Sequence, residues 1–500
     1  MPAADASFLH GVASGDPLTD RVVIWTAATT PDDGPVDVSW TVARDRELAD
    51  VIASGTATAE VEHDHTVSVD VTGLEPDRTY FYGFEAGGER SPVGRTRTLP
   101  DRTDHVRFAM VSCAKFNAGF FNAYARLAQR DDLSFLLHLG DYIYEASNVP
   151  PPTQTPGADI GRPFDPLHEC VTLDDYRRRY RQYKLDPDVQ RLHAVHPVMA
   201  CVDDHEFADG AWREGADNHR PEWGPWEQRK ADAFRAKWEW VPARMPDPAD
   251  PSRVFRAVPL GGLADLFLVD TRTRRDQPVP PPASEDPGRS ALGAEQREWL
   301  LHELETSTAA WRLLGNPSVM GRTWDDNLPA AVRPHLVKVK LLEPEGRGPD
   351  FDQWDGYPAE REAVLGFVRE HHIRDVVVLS GDVHVSIALE MDEEGDEGEP
   401  LAVEFVTPSI TSQNLDDKMG WGLRTTSVDI ERQIVDALPH WKWCELDSHG
   451  YTVIDVTPER LRADWWYVDS VLERHGNEVN GQSWMVERGR TRLVPAPAEA

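Results

Sequence analysis

The sequence predicts an α/β fold behind an amino-terminal all-β module, and three observations carry that prediction. The first hundred or so residues hold only short β-branched or aromatic runs, a pattern of sheets without helices. From about residue 105, apolar runs alternate with amphipathic segments, as in a layered α/β domain. Three of those apolar runs, Leu133–Leu139, Pro197–Val202 and Val376–Leu379, stop at clusters of metal-binding side chains. Continuous apolar strands are buried on both faces, and ligands bind beyond their carboxyl ends, so the three clusters point to one site.

In chain order, Arg21–Thr26, Val36–Val42, Thr66–Val71 and Thr79–Phe84 read as short strands, with turns at Pro-Asp-Asp-Gly and Leu-Glu-Pro-Asp. A small sandwich over residues 1–100 accommodates them, and Leu99-Pro100-Asp101 marks the boundary. Residues 101–500 form the second domain, with a carboxyl-terminal extension. Its expected strands are Phe108–Ser112, Phe135–Leu139, Val198–Val202, Leu266–Val269, Arg312–Leu314 and Val376–Leu379. Tyr176, Tyr180 and Tyr183 fall at helical spacing after a Thr172 cap, and Phe234, Trp238 and Val241 mark another helix. Arg177-Arg178-Arg179, inside the first of these, reads as a solvated helix face rather than a nucleic-acid patch. Asn148–Arg162, Gln277–Gly288 and Leu342–Tyr357 read as long loops that shape a substrate pocket. The acidic run Asp392–Glu399 reads as a hairpin tip and lacks the spacing of a calcium-binding helix-loop-helix. Strands near Tyr451–Val456 and Ala463–Trp466 complete a sheet, and Arg488–Ala500 reads as a tail.

Composition narrows the function. With 500 residues, 40% of them apolar, and 17 Trp, the chain fills sizeable cores. Its 52 basic and 86 acidic residues give a formal charge of −34, which disfavours nonspecific binding to nucleic acid or to an anionic membrane. Attraction of an anionic substrate therefore has to come from local positive charge, metals or a few Arg. The four cysteines, Cys113, Cys170, Cys201 and Cys444, match no disulfide framework or zinc motif, and Cys201 reads as a buried structural thiol. No run reaches the roughly 18 apolar residues of a spanning helix. The first residues lack a basic stretch followed by an apolar core, so the expected location is cytoplasmic, or secreted if a leader has been removed.

Each cluster has a reading as a ligand set and a plainer one. Asp141 and Tyr144, in Gly140-Asp141-Tyr142-Ile143-Tyr144-Glu145, place a carboxylate just after a strand and a phenol three residues on; the pair suits a hard trivalent ion, or else a capped turn with a packing Tyr. Asp203-Asp204-His205-Glu206 gathers four ionisable groups that a cation would neutralise, or else a salt-bridged corner. Asp382 and His384 stand two apart and share one face of an extended segment. Cys113 follows a strand at the equivalent end, as a soft ligand or a semi-buried thiol.

Taken in order, Ser112-Cys113, Gly140-Asp141-Tyr142-Ile143-Tyr144-Glu145, Asp203-Asp204-His205-Glu206 and Ser380-Gly381-Asp382-Val383-His384 closely resemble the PhoD-type alkaline phosphatases, a branch of the calcineurin-like metallophosphoesterases. Gly11–Pro17, Leu268-Val269-Asp270-Thr271-Arg272, Leu292-Gly293 with Gln296 and Trp299-Leu300, and Trp354-Asp355-Gly356-Tyr357 extend the resemblance over nearly the whole chain. The stretch Gly73–Tyr82 resembles the tyrosine-bearing corner of fibronectin type III domains. The resemblance implies a fibronectin-like amino-terminal domain and a four-layer α/β sandwich with a dinuclear site. It further implies Asp141 as the bridge, Tyr144, Cys113 and His384 on Fe³⁺, and Asp204 with Asp382 on a second ion, Ca²⁺ or alternatively Mn²⁺ or Mg²⁺. Where the wider superfamily supplies a further histidine, this chain offers Asn316 in Leu314-Gly315-Asn316-Pro317-Ser318.

The implied activity is hydrolysis of phosphate monoesters or diesters by a metal-activated hydroxide, with His205 as the leaving-group acid and Glu206 or Asp203 orienting its imidazole. A phospholipase D-type diesterase is an alternative within that chemistry. A non-catalytic metal-bound binding protein is the alternative outside it, and the presence of Asp141, Asp204 and His205 argues against it.

Overall fold

The computed structural model describes residues 6–31, 34–148, 159–391, 398–474 and 476–498. Most of the acidic run Asp392–Glu399 and of the loop Asn148–Arg162 lies outside them.

Two sheets stack face to face. The ten-stranded sheet has at its centre Val106–Val111, Leu136–His138, Pro197–Ala200 and Val12–Gly15, paired in parallel in that order. The seven-stranded sheet is built on Ala264–Leu268, Trp311–Gly315, Val376–Ser380 and Val403–Val406, likewise parallel. Alternation along each strand assigns its residues to two cores. Val106, Phe108 and Met110 fill the space between the sheets with Leu266, Leu313, Val377 and Phe405, while Ala109, Val111 and Cys113 point to the outer side.

Helices close both outer faces. Leu173–Leu185 and Trp226–Trp240 bring Tyr176, Tyr180, Tyr183, Phe234 and Trp240 against the ten-stranded sheet. The predicted Thr172 cap is present as a full capping box with Asp175. Ala294–Thr306, Pro358–Glu370 and Ser427–Ala437 cover the other sheet through Leu300, Leu304, Val364, Leu365 and Ile434. The order helix, sheet, sheet, helix is the four-layer sandwich that the resemblance implied.

The amino-terminal sandwich is present, and one of its sheets is shared. Val36–Ala43, Val51–Ala59, Thr79–Ala86, Glu89–Arg90 and Gly94–Arg97 form a separate sheet. Opposite it, Arg21–Ala27 and Thr66–Thr72 join Val12–Gly15, which pairs with the rest of the ten-stranded sheet through Ser14 with Pro197 and Gly15 with Val198. Ile24, Val67, Val38, Tyr82 and Phe84 pack between the two layers. The tyrosine corner is formed by Tyr80, whose hydroxyl accepts the Glu75 N–H at 2.9 Å.

Two expectations need correction, and one strand escapes the sequence pattern. Residues from Arg488 are not all tail, because Leu493–Pro495 pairs with Glu478–Glu487 as the edge strand of the large sheet. Val51–Ala59 is a strand that periodicity missed, since its small residues are mostly solvent-facing and give no apolar signal. Arg177-Arg178-Arg179 is only partly a solvated face: the Arg178 side chain is exposed, whereas Arg179 is fully buried and donates to the carbonyls of Tyr144, Ala146 and Pro166. Among the described residues, no helix is long and apolar enough to cross a membrane.

Candidate metal centre

The parallel strands deliver their ends to one place. Cys113 follows Val106–Val111, Asp141 follows Leu136–His138, Asp203 and Asp204 follow Pro197–Ala200, and Asp382 and His384 follow Val376–Ser380. The two sheets meet there, since Ser112 bridges Ser409 and its carbonyl accepts the Ile410 N–H at 2.9 Å. Two glycines allow this close approach. A Cβ on Gly140 would sit 2.4 Å from the Asp203 Cβ, and one on Gly381 would sit 2.5 Å from the Ser112 Oγ.

Backbone conformation singles out the same residues. Cys113, Asp141, Asp382 and His384 have φ of 60°, 56°, 67° and 62°, in the left-handed region that side chains seldom occupy. Such conformations cost of order 1 kcal/mol or more each and cluster at functional sites.

The donor atoms of Cys113, Asp141 and His384 lie within 4.8 Å of one another; so do those of Asp141, Asp203, Asp204 and Asp382, and those of Asp141, Asp204 and His205. Asp141 belongs to every group. Its two oxygens face different neighbours: Oδ2 accepts the Tyr144 hydroxyl at 2.6 Å, while Oδ1 accepts the His205 N–H at 3.3 Å. Tyr144 also contacts His384 Nε2 at 3.3 Å and receives the Ser412 hydroxyl at 2.6 Å.

Electrostatics shows what the cluster lacks. Burial, reinforced by neighbouring carboxylates, pushes the Asp141 and Asp203 carboxyls well above the usual range. Burial together with Asp141 and Asp382 does the same to the Cys113 thiol, and burial with Asp141 and Cys113 to the Tyr144 phenol. His384 is held neutral by burial and by Lys418 and Lys340, which is the ligand form of imidazole. Asp204 Oδ2 accepts the Gly210 N–H at 2.8 Å, whereas its buried Oδ1 has no hydrogen-bond partner. A buried carboxyl oxygen left without a partner, inside a set of carboxylate, phenol, thiol and imidazole donors, fits bound cations.

The remaining expected residues take structural parts. Glu206 does not orient His205; its carboxylate accepts the backbone N–H groups of Asp141, Tyr142 and Asp203 at 3.1, 2.5 and 2.6 Å, and so holds the Gly140–Tyr142 turn. Asp203 does not orient it either, being paired with buried Arg272, which also reaches Asp382 at 2.9 Å and Asp352. The imidazole is held by Glu145, whose Oε2 lies 2.7 Å from His205 Nδ1 while Oε1 accepts the Asp209 N–H at 2.7 Å. Asn316 has its amide engaged at both ends: Oδ1 accepts the Trp354 indole N–H at 3.0 Å, and its nitrogen donates to Ser318 and Ser380. It braces the strand end.

The sequence assigns no site role to Glu145, Arg272, Gln353 or Ser412. Glu145 sat inside the Gly140–Glu145 cluster and Arg272 inside the Leu268–Arg272 stretch, so proximity in sequence was the available signal. Gln353, which donates to Asp382 Oδ2 at 2.5 Å, comes from the Leu342–Tyr357 loop, which does help to shape the site.

Comparisons agree with this geometry. A family model described as PhoD-like phosphatase matches residues 108–465, and one described as its N-terminal domain matches residues 1–100. Alkaline phosphatase D of Bacillus subtilis (strain 168) is 34% identical over 511 residues, covering 97% of this chain and 82% of that protein. A solved structure titled as that of PhoD superposes with a TM-score of 0.85 at 31% identity, over 99% of this chain and 92% of the other. Sequence, fold and donor set thus converge, and the chain belongs to the PhoD-like phosphatase family of phosphate-ester hydrolases.

Proposed function

We propose that the chain hydrolyses phosphate esters at a dinuclear centre bridged by Asp141. The observation that carries this reading is the presence of Asp141 in every donor group, with Cys113 and His384 on one side and Asp204 and Asp382 on the other, while its Oδ2 accepts the Tyr144 hydroxyl and its Oδ1 the backbone N–H of His205. Thiol, phenol and imidazole beside a carboxylate suit Fe³⁺, and the all-oxygen set of Asp141, Asp204 and Asp382 suits Ca²⁺, Mn²⁺ or Mg²⁺. Asn316 is left out of both sets because its amide is already engaged. Bound cations would neutralise the phosphoryl oxygens and acidify the attacking water.

The chain's own residues supply the rest. His205 donates its proton to the departing oxygen through Nε2, since Nδ1 is committed to Glu145. Burial opposes the imidazolium, while the Glu145, Asp141 and Asp204 carboxylates favour it. Asp203, fixed by Arg272, and Glu206, fixed by three backbone donors, position the loop that carries Asp204 and His205.

Turnover of p-nitrophenyl phosphate and bis-p-nitrophenyl phosphate by metal-loaded protein tests the reading and separates monoesterase from diesterase. Hydrolysis of neither between pH 5 and 10 contradicts it.

A further inference from the structure

The chain has only eight lysines, and three of them, Lys115, Lys340 and Lys418, stand half-exposed around the metal centre. They come from separate segments: the loop after Val106–Val111, the turn after helix Arg333–Lys338, and helix Leu415–Met419. The Lys115 ammonium lies 5.5 Å from the centroid of the Tyr144 ring. Lys340 pairs with Asp209 at 3.0 Å, and the Asp209 N–H donates to the same Glu145 carboxylate that holds His205. Lys340 therefore stands on the leaving-group side. Lys418 donates to the Lys338 carbonyl at 2.8 Å.

Lys230 and Lys442 have Glu227 and Glu390 as ion-pair partners. Among the described residues, Lys115 and Lys418 have no carboxylate within 4.0 Å, although Asp417, the neighbour of Lys418, is 3.0 Å from His449. The Lys418 helix follows Gln413, whose carbonyl lies 3.0 Å from His384 Nδ1. Ammonium groups set around a phosphate-processing centre, two of them without a carboxylate partner, can receive an anion. Cations held by the carboxylate donors would take up the scissile group, which leaves the lysines to a different part of the substrate.

We propose that Lys115, Lys340 and Lys418 form an anion subsite that receives a second negatively charged group, a phosphate or a carboxylate, on the leaving group of the substrate. The preferred substrates are then phosphate esters with an additional anion a few bonds from the ester oxygen. This rests on the phosphate-ester hydrolysis proposed above.

The test compares kcat/KM for propyl phosphate, propane-1,3-diol bisphosphate and 3-phosphonooxypropanoate, using metal-loaded protein at low and high salt. The expected preference for the doubly anionic esters is about tenfold or more, as one charge contact supplies, and declines with ionic strength. Their relative rates distinguish phosphate from carboxylate as the favoured group. Lys115→Gln with Lys418→Gln should bring the preference below about twofold, while Lys115→Arg, which keeps the charge, retains most of it. Equal rates for all three esters in the unaltered protein overturn the subsite. So does a preference that survives in the double variant with an unchanged melting temperature. Hydrolysis of none of the esters, nor of aryl phosphates, overturns the hydrolase reading itself and the subsite with it.

Discussion

His205 Nδ1 lies 2.7 Å from Glu145 Oε2, and Glu145 is itself fully buried at the end of the turn that carries Asp141 and Tyr144. One short segment thus supplies the proposed bridging carboxylate, the phenol and the group that holds the proposed acid. His205→Ala should leave metal content intact and lower turnover of an alkyl phosphate by about 10²- to 10⁴-fold, with a smaller loss on p-nitrophenyl phosphate, whose leaving group needs little protonation. Equal losses on both esters would refute the role of His205.

Glu145→Gln should move the pH profile. Glu145 raises the His205 pKa, so removing its charge lowers that pKa, and the basic limb of kcat should shift to lower pH. The measurement is the pH–rate profile on an alkyl phosphate.

Arg272 is the buried counterion of Asp203, with Asp352 and Asp382 also on its guanidinium. Arg272→Met leaves those carboxylates unpaired, and the expected cost is about 3–5 kcal/mol, read from the shift of the denaturation midpoint. Burial and the neighbouring carboxylates already raise the Asp203 pKa, so the variant should lose more at pH 8 than at pH 5.

Gly140→Ala tests the close approach of two strand ends. The methyl group would meet the Asp203 Cβ at 2.4 Å, and the backbone φ of 108° disfavours any side chain. Destabilisation of at least about 1–3 kcal/mol is expected, with weakened metal retention, checked by melting and elemental analysis.

Removing metal should make stability pH-dependent in a definite direction. Asp141 and Asp203 have raised folded-state pKa values, so between the unfolded value of about 4 and the folded values the native state binds more protons. Stability of chelated protein therefore falls as pH rises through that window. Melting temperatures from pH 5 to 8, with and without chelator, should diverge increasingly with pH.

Much of this site was legible in the sequence because parallel strands are apolar throughout, so a polar cluster at their ends stands out. Cys113, Asp141, Asp204, Asp382 and His384 were visible for that reason. Partners that act across sequence were not: Glu206 and Glu145 look alike after their strands, and only the fold shows that one grips backbone N–H groups and the other an imidazole. Asn316 stood at the right strand end, but Trp354 claims its amide oxygen from a loop far along the chain. The sharing of Val12–Gly15 with the catalytic sheet was equally hidden, since a strand of four residues does not announce its neighbour.

The central claim is a bridged pair of metals at Asp141. Elemental analysis of protein purified without chelator, set beside Asp141→Asn, tests it most directly. The expected result is close to two metal ions per chain, a trivalent-capable one and a hard divalent one, with both depleted and phosphatase activity lost in the variant. A protein that hydrolyses aryl phosphate with no bound metal, or a variant that keeps both ions and full activity, would contradict it.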